Sequence, residues 1–370
     1  MNNKIRINFS YKFNLNSDKI CEFYKKNWDK DIILGNKMFY KWNFIENPFN
    51  LKKDYNCLAV DESNNIIGIM GLSLRDFFLE EKKMKGAELT TWVLDKNYRG
   101  KGIGKKMLIF LKKKFDILVG SGITDEAKSV YLLNDFTYLK HIPRFFKIYN
   151  IKNMEKYIRL KCEGIKQYDV SLIKEKFIND SYKFDEVSKK SLLCLDDFQK
   201  KDFNFFSKSK KWLIWRYFNH PFFNYIIYCI ENNNKKAIFV MRFDVISKMK
   251  IGYLVDAFGD IEAIGILPHI LNKIAKRNKI NVIEFYSTYG LFNSIFVSNN
   301  WISTIDDDHI KFMNRLYPPK WVEPATTSLI LWCKHKNTSF YNFSKLYINK
   351  SDLDLDRPSA GFIKLNFNST

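Results

Sequence analysis

No two cysteines in this 370-residue chain stand at C-x-x-C spacing, and none forms a cluster with histidine. The six cysteines (Cys21, Cys57, Cys162, Cys194, Cys229, Cys333) are scattered, and there are only five histidines. That excludes a zinc site built on the usual spacings and a disulfide framework, and it fits a reducing compartment. An apolar leader is missing too: "MNNKIRINFSYKF" has no continuous apolar core of the ~7–15 residues a secretory signal needs. No apolar run approaches the roughly 20 residues that cross a bilayer. The expectation is a cytoplasmic protein with no metal and no membrane span.

Acidic residues are the scarcer charge, 40 Asp and Glu against 61 Lys and Arg, a net charge of +21. One reading is an electrostatic footprint for phosphates, sugar nucleotides, RNA or a membrane surface. The other is codon bias, because Lys, Asn, Ile and Phe are all heavily used. Neither concerns the fold. With 46% hydrophobic and 16% aromatic residues the chain is that of a folded protein, and its length suits two domains.

Two segments share a skeleton. "FYKWNFIENPFN" carries Trp42 and Pro48; "WLIWRYFNHPFFN" carries Trp215 and Pro221, the same Trp-x5-Pro displaced by 173 positions. After each comes a strand, a polar turn and a strand, as in a hairpin. A third strand follows, "GAELTTWVL" in one copy and "KIGYLVDAF" in the other. Each copy then offers a helix (102–115 and 260–276), a strand and a shorter helix. Shared order of elements indicates duplication. The expectation is an α/β protein with two similar domains, 1–155 and 175–320, joined by a charged stretch at 151–175. A C-terminal part, 321–370, contains the strand "TSLILWC" and a polar tail. There Asp352, Asp354 and Asp356 alternate, which in a strand puts three carboxylates on one face. A solvated acidic edge is expected, with a cation or sugar-hydroxyl site as the alternative.

"DKNYRGKGIGKKM", residues 95–107, lies between a strand and a helix. It is not a Walker A loop, because Arg99 stands where the first glycine belongs and Lys106 follows Gly104-Lys105. It is not a dinucleotide fingerprint either, since Gly100, Gly102 and Gly104 give G-x-G-x-G. Glycines let the backbone approach a ligand closely. The first-turn amides of the helix, at the positive end of its dipole, then face an anion, and a pyrophosphate suits such a nest. Ile103, Met107, Leu108, Leu111 and Phe115 form one apolar stripe, with lysines on the other face.

"VLDKNYRGKGIGKKML" resembles the acyl-CoA-binding motif of the GNAT superfamily of N-acyltransferases, V-x-P-x-x-R-G-x-G-I-G, with Asp95 or Lys96 where proline is common. Downstream, "TDEAKSVYLLNDF" resembles that superfamily's N-x-x-A-x-x-x-Y-x-x-x-G-F through Ala127, Tyr131 and Phe136. Thr124 replaces the Asn and Asp135 the Gly. Two motifs in this order make the resemblance specific for residues 55–140. The resemblance implies two tandem GNAT-like domains, each a mixed twisted sheet flanked by helices, with acyl-CoA between splayed strands. It implies that the backbone around Val93 pairs with the pantetheine arm. The amides of Arg99, Gly100, Lys101, Gly102, Ile103, Gly104 and Lys105 would hold the pyrophosphate, with charge from Lys101, Lys105 and Lys106. Glu88, eleven residues before Arg99, corresponds to the general base, and Tyr131 to the general acid. Their structural alternatives are a strand-end carboxylate and a packed aromatic. His141 could face the acceptor or be structural.

In the second copy only Gly259 and Gly265 remain, and Asp260 and Glu262 would repel phosphate while capping a helix well. One acetyl-CoA per chain is expected, the second domain framing the acceptor or stabilising the first. The leading function is transfer of an acetyl group from acetyl-CoA to a small-molecule amine. A nucleotide-linked amino sugar is suggested by resemblance to acyltransferases of bacterial surface-glycan pathways. The alternatives are a Fem-type transferase using aminoacyl-tRNA, disfavoured by the intact loop, and a non-catalytic binding module. Nucleic acid is therefore not the expected partner.

Overall fold

The computed structural model describes residues 5–28, 31–152, 154, 156–160, 182–194, 203–305, 310–313, 315–316, 319–321 and 326–367. Cys162 and most of the linker drawn at 151–175 lie outside the described residues. Cys21, Cys57, Cys229 and Cys333 are buried free thiols.

In the first half, β1 (Arg6–Phe9) pairs with β2 (Cys57–Val60), β2 forms a hairpin with β3 (Ile66–Leu79), and β3 pairs with β4 (Lys82–Leu94). Helices α1 (Ser17–Asn27) and α2 (Lys37–Phe44) lie between β1 and β2. Each starts on an asparagine whose side chain accepts a first-turn amide, Asn16 from Asp18 and Asn36 from Phe39. Then come α3 (Ile103–Lys112), β5 (Ile117–Ser121), α4 (Asp125–Leu132) and β6 (Thr137–Leu139). The expected stripe of α3 is buried: Ile103, Met107, Leu108 and Leu111 pack on the sheet with Phe115.

The chain continues through β7 (Arg144–Ile148), β8 (Ile158–Leu160), β9 (Lys183–Glu186), α5 (Lys189–Cys194), β10 (Asn204–Phe206) and α6 (Lys210–Leu213), which runs into a π-helical turn at Ile214–Phe218. The second half repeats the first with β11 (Tyr225–Asn232), β12 (Lys235–Ile246) and β13 (Met249–Gly259). The helix expected at 260–276 is two, α7 (Ile261–Ile264) and α8 (Leu267–Asn278), with Pro268 in the first turn of α8. Then follow β14 (Val282–Tyr286), α9 (Gly290–Ser298) and β15 (Ile302–Ser303). Small ribbons pair β16 (Ile310–Phe312) with β8 and β17 (Arg315–Leu316) with β18 (Pro319–Lys320). The C-terminal region supplies β19 (Leu329–Cys333), β20 (Leu346–Tyr347) and α10 (Ala360–Phe367).

The first sheet runs β1-β2-β3-β4-β5-β19-β6, with β10 and β20 attached beyond the far end of β3; the second runs β9-β11-β12-β13-β14-β7-β15. In each path one central pair is parallel, β4 with β5 and β13 with β14, and the other pairs are antiparallel. Each sheet also takes its penultimate strand from the other half. β19 inserts between β5 and β6, while β7, which follows β6 in the chain, inserts between β14 and β15. The halves exchange a strand.

The two Trp-x5-Pro motifs meet. Trp42 and Trp215 stack with ring centroids 4.7 Å apart. Each indole N–H donates to the other's carbonyl, Trp42 Nε1 to Trp215 O at 3.3 Å and Trp215 Nε1 to Trp42 O at 3.0 Å. Such reciprocal contacts are what a local two-fold axis produces. One hydrophobic cluster runs through this point, joining Tyr24, Phe39 and Val93 to Tyr217, Ile227 and Val240.

The acidic tail corrects the sequence reading. Residues Lys350–Asp352 and Asp354–Asp356 are two short 3-10 turns, not a strand, and Asp352 and Asp356 are buried. Asp352 pairs with Arg75 at 2.9 Å and Lys208 at 2.7 Å, and Lys208 also pairs with Asp256 at 2.8 Å. Asp356 pairs with Arg216 at 3.2 Å and Arg242 at 3.0 Å and accepts from the Tyr225 hydroxyl at 2.8 Å. The cations that bury these carboxylates come from β3 (Arg75), the residue before the N-cap of α6 (Lys208), the π-helical turn (Arg216) and β12 (Arg242), so the tail is stitched between the sheets rather than laid on the surface.

Candidate active site

The loop after β4 is held open by its glycines. Asp95 accepts the Asn97 amide at 2.9 Å, and Arg99 Nε reaches back to the Leu94 carbonyl at 3.4 Å. Gly100 and Gly102 have φ of 76° and 72°, the left-handed region, and an added Cβ on either would meet nothing within 4 Å. Gly102 is the N-cap of α3 and offers no side-chain cap. Among the described residues the amides of Gly100, Lys101, Gly102, Ile103, Gly104 and Lys105 have no hydrogen-bond partner. Six consecutive donors therefore stand unpaired at the positive end of a helix dipole, an arrangement able to hold an anion. Arg99, Lys101, Lys105 and Lys106 are exposed around it. Ile103 contributes only its amide, since its side chain is buried. Gly104 serves packing as well: a Cβ there would come within 2.5 Å of the Trp92 ring, so this glycine lets α3 lie close on β4.

Beside the loop the sheet opens. β4 pairs with β5 only from Gly86–Leu89 to Ile117–Gly120, and from Thr90 to Leu94 that edge of β4 is unpaired. The register against β3 shifts between Met70 and Leu72, putting an extra β4 residue at Thr90–Thr91, a bulge of the kind that bends a strand away from its neighbour. Val93 lies in the unpaired stretch, its side chain in the core and its backbone opposite Ile69. Among the described residues two buried polar atoms here lack partners, Thr90 Oγ1 and Trp92 Nε1, and such atoms ordinarily have one.

Tyr131, on α4, packs edge-on against Trp92 at 5.4 Å and Phe136 at 5.0 Å. Its ring is buried, and its hydroxyl makes no hydrogen bond among the described residues. Burial pushes its phenol well above the usual range, so it holds its proton at neutral pH. The two departures from the expected downstream motif keep the local conformation. Thr124 caps α4 by accepting the Ala127 amide at 3.3 Å, and Asp135 takes φ 63°, where glycine is the easier residue.

Glu88 sits in the last paired stretch of β4, fully buried, and accepts the amide N–H of Asp354. Around it, Arg357 Nη1 donates to Thr91 Oγ1 at 3.0 Å and pairs with Asp354 at 2.9 Å, and Ser121 Oγ donates to Asp354 at 3.2 Å. Glu88, Asp354 and Arg357 line a cavity of about 40 Å³ together with Arg75, Thr90 and the Trp42–Trp215 pair. Burial, then the neighbouring Asp354 carboxylate, pushes the Glu88 carboxyl up to about 8, against the pull of Arg75. The structure thus brings Glu88 to the point where β4 and β5 part, and Tyr131 to the Trp92 side of the opening. His141 is only partly buried between β6 and β7; its Nδ1 has no partner among the described residues, and burial followed by Lys140 lowers its basicity. Arg357 and Arg75 were not anticipated from sequence, and Asp354 was read there only as part of an acidic edge or a cation or sugar-hydroxyl site, not as a neighbour of Glu88. Asp354 and Glu88 are 266 residues apart, and nothing local announces their contact.

The second half has the same bulge and opening but fills it from within. The β12–β13 register shifts between Val240 and Met241, and β13 pairs with β14 only over Ile251–Leu254. Beyond that point the Ala257 amide donates to the Tyr347 hydroxyl at 3.1 Å, Ser287 bridges to Asn349, and the Thr288 amide donates to the Ile348 carbonyl at 3.1 Å. The C-terminal segment occupies the cleft. Gly259 does not open a nest, because a Cβ there would strike the Ala237 Cα at 2.4 Å and the Lys236 carbonyl at 2.5 Å; it is a glycine of close packing.

Residues 18–120 match the acetyltransferase (GNAT) family. No curated protein sequence matches the chain significantly. Three solved structures align over 90% of this chain, through both sheets. N-myristoyltransferase from Saccharomyces cerevisiae with bound myristoyl-CoA is covered over 80% of its length at 13% identity, TM-score 0.50. A GCN5-related N-acetyltransferase from Anabaena variabilis is covered over 73% at 10% identity, TM-score 0.51. A probable N-acyltransferase from Enterococcus faecalis is covered over 72% at 9% identity, TM-score 0.52. At these identities the likeness is one of fold: the twisted mixed sheets flanked by helices are the GNAT fold.

Proposed function

We propose that the chain is a CoA-dependent N-acyltransferase that moves an acetyl group from acetyl-CoA to an amine, with a nucleotide-linked amino sugar as the acceptor that the sequence resemblance suggests and the basic, aromatic composition suits. The observation that carries this reading is the row of six unpartnered amides, Gly100 to Lys105, beside the unpaired edge Thr90–Leu94. The amides and the flanking Arg99, Lys101 and Lys105 hold the pyrophosphate, and the β4 edge around Val93 hydrogen-bonds the pantetheine arm. Glu88 takes the proton lost by the amine as the C–N bond forms. Tyr131 gives its proton to the sulfur as the C–S bond breaks, and bulk water restores both groups. Positioned acid–base groups of this kind contribute about 10²–10⁴-fold.

The test is a thermal-shift titration with acetyl-CoA, longer acyl-CoA and tRNA on the wild-type chain and Gly102→Glu. The substitution puts a carboxylate into the nest at a residue with φ 72°. Acetyl-CoA should stabilise the wild type and shift the variant much less. Equal shifts in both proteins would remove the loop from the binding site, and a shift with tRNA alone would favour aminoacyl transfer.

A further inference from the structure

A second cavity, of about 300 Å³, lies between the tail and the second sheet and shares two wall residues, Asp354 and Arg357, with the small cavity at Glu88. Its walls include side chains that are charged or polar and yet at most 6% exposed: Arg144, Arg242, Tyr253, Glu284, Tyr286 and Lys350. Burial of so many polar groups is costly unless each has a partner. Which of them are satisfied is therefore informative.

The acceptors are committed. Glu284 takes Arg144 Nε and Nη2 at 3.0 and 2.5 Å on one oxygen and Lys350 on the other; Asp244 takes Arg242. Asp354 is held by Arg357 and Ser121. The donors are not exhausted. Lys350 gives one bond to Glu284 and keeps two N–H groups, its ammonium lying 4.3 Å from the Tyr253 ring centroid and 5.4 Å from that of Tyr286. Among the described residues Arg357 uses only Nη1. The hydroxyls of Tyr253 and Tyr286 have no hydrogen-bond partner among the described residues. Four cations and three carboxylates line the space, so its wall is positive on balance. What remains unmatched is donor capacity and positive charge, in a volume at the small end of metabolite pockets.

We propose that this cavity holds the acceptor and selects amines that carry an anionic group, carboxylate or phosphate, within about one monosaccharide's length of the nitrogen. The anion binds Lys350, Arg357 and the Tyr253 and Tyr286 hydroxyls, and the amine points past Asp354 toward Glu88. This rests on the acyl-transfer reading, for which the cavity would supply the acceptor subsite.

The experiment follows thiol release from acetyl-CoA with matched amines: glucosamine against glucosamine 1-phosphate, and β-alanine against β-alaninamide. A charged member should have a KM at least 10-fold below that of its uncharged partner, and which pair responds distinguishes phosphate from carboxylate. Tyr253→Phe and Lys350→Gln should each raise that KM several-fold and leave the KM for acetyl-CoA unchanged. The Tyr253 variant keeps the ion pairs and guards against misfolding of the other. A normal acetyl-CoA thermal shift with no discrimination within either pair, or with discrimination untouched in Tyr253→Phe, overturns this inference alone. Absence of any acetyl-CoA shift overturns the acyltransferase reading and the inference with it.

Discussion

Replacing Asp356 by asparagine tests whether the tail is part of the interior. The carboxylate is buried and accepts from Arg242 Nε and Nη2, Arg216 Nη2 and the Tyr225 hydroxyl. Burial alone would raise its pKa, but Arg242 and then Arg216 hold it well below the usual carboxylate range. Asparagine keeps the shape and one acceptor oxygen and removes the charge, leaving two buried guanidinium groups short of one anion. Removing one partner of a buried pair costs about 3–5 kcal/mol. The lower end applies here, because Arg242 keeps Asp244 and Arg216 keeps the residue-356 carbonyl. With an unfolding entropy of about 2.1 cal/mol/K per residue, a cooperative unit of this size loses roughly 4 °C of Tm for 3 kcal/mol.

The assay is thermal and urea unfolding of wild type, Asp356→Asn and the double variant Asp356→Asn/Arg242→Met, which removes a stranded cation and should recover part of the loss. The pH dependence supplies a second reading. A carboxylate with a depressed folded pKa stabilises above its unfolded pKa, about 3.9, and that stability is lost as pH falls through the folded pKa. The gap between wild type and Asp356→Asn should therefore narrow below about pH 4. A loss under about 1 kcal/mol at pH 7, with no pH dependence, would refute the reasoning and restore a solvated acidic edge.

Tyr131→Phe should lower turnover by about 10²-fold while leaving the KM for acetyl-CoA nearly unchanged, read by thiol release; full activity removes Tyr131 from proton transfer. Glu88 acts as a base only when deprotonated, so kcat/KM should rise with pH through about 8. In Glu88→Gln the rate should be low and that limb absent, and a variant that keeps it assigns the titration to another group.

Local chemistry was legible in the sequence and remote pairing was not. The loop from Arg99 to Lys105 announced itself because glycine at positive φ and a helix start are properties of adjacent residues. The Trp42 and Trp215 motifs could be matched as a repeat, although nothing in either showed that they stack on one another. The alternation of Asp352, Asp354 and Asp356 was visible, but its meaning depends on Arg75, Lys208, Arg216 and Arg242, each more than 100 residues away. Burial of a charge is decided by such partners, and periodicity carries no information about them. Pro268 marked where the expected helix at 260–276 restarts, a signal present but not used. The filling of the second cleft by Tyr347 and Asn349 had no local sign.

The exchanged strands bear most directly on how the halves depend on each other. β7 and β19 are both short and buried, so either could be read as completing the sheet of its own half. Instead β19 lies between β5 and β6, with Leu329, Ile330 and Leu331 paired on both sides, and β7 does the same between β14 and β15. A fragment ending at residue 155 therefore keeps the complete loop but leaves β5 and β6 without their shared neighbour. It also carries β7 with no sheet to join, and Glu88 without the Asp354 amide. Unpaired strand edges of this kind promote association. Residues 1–155 expressed alone should be aggregated or lack a cooperative unfolding transition, and should show no acetyl-CoA shift. Co-expression with residues 156–370 should restore both properties, because strand exchange needs the two halves together but not a continuous backbone between them. A monomeric, cooperatively folded 1–155 fragment that binds acetyl-CoA would show instead that the exchange ornaments two independent domains.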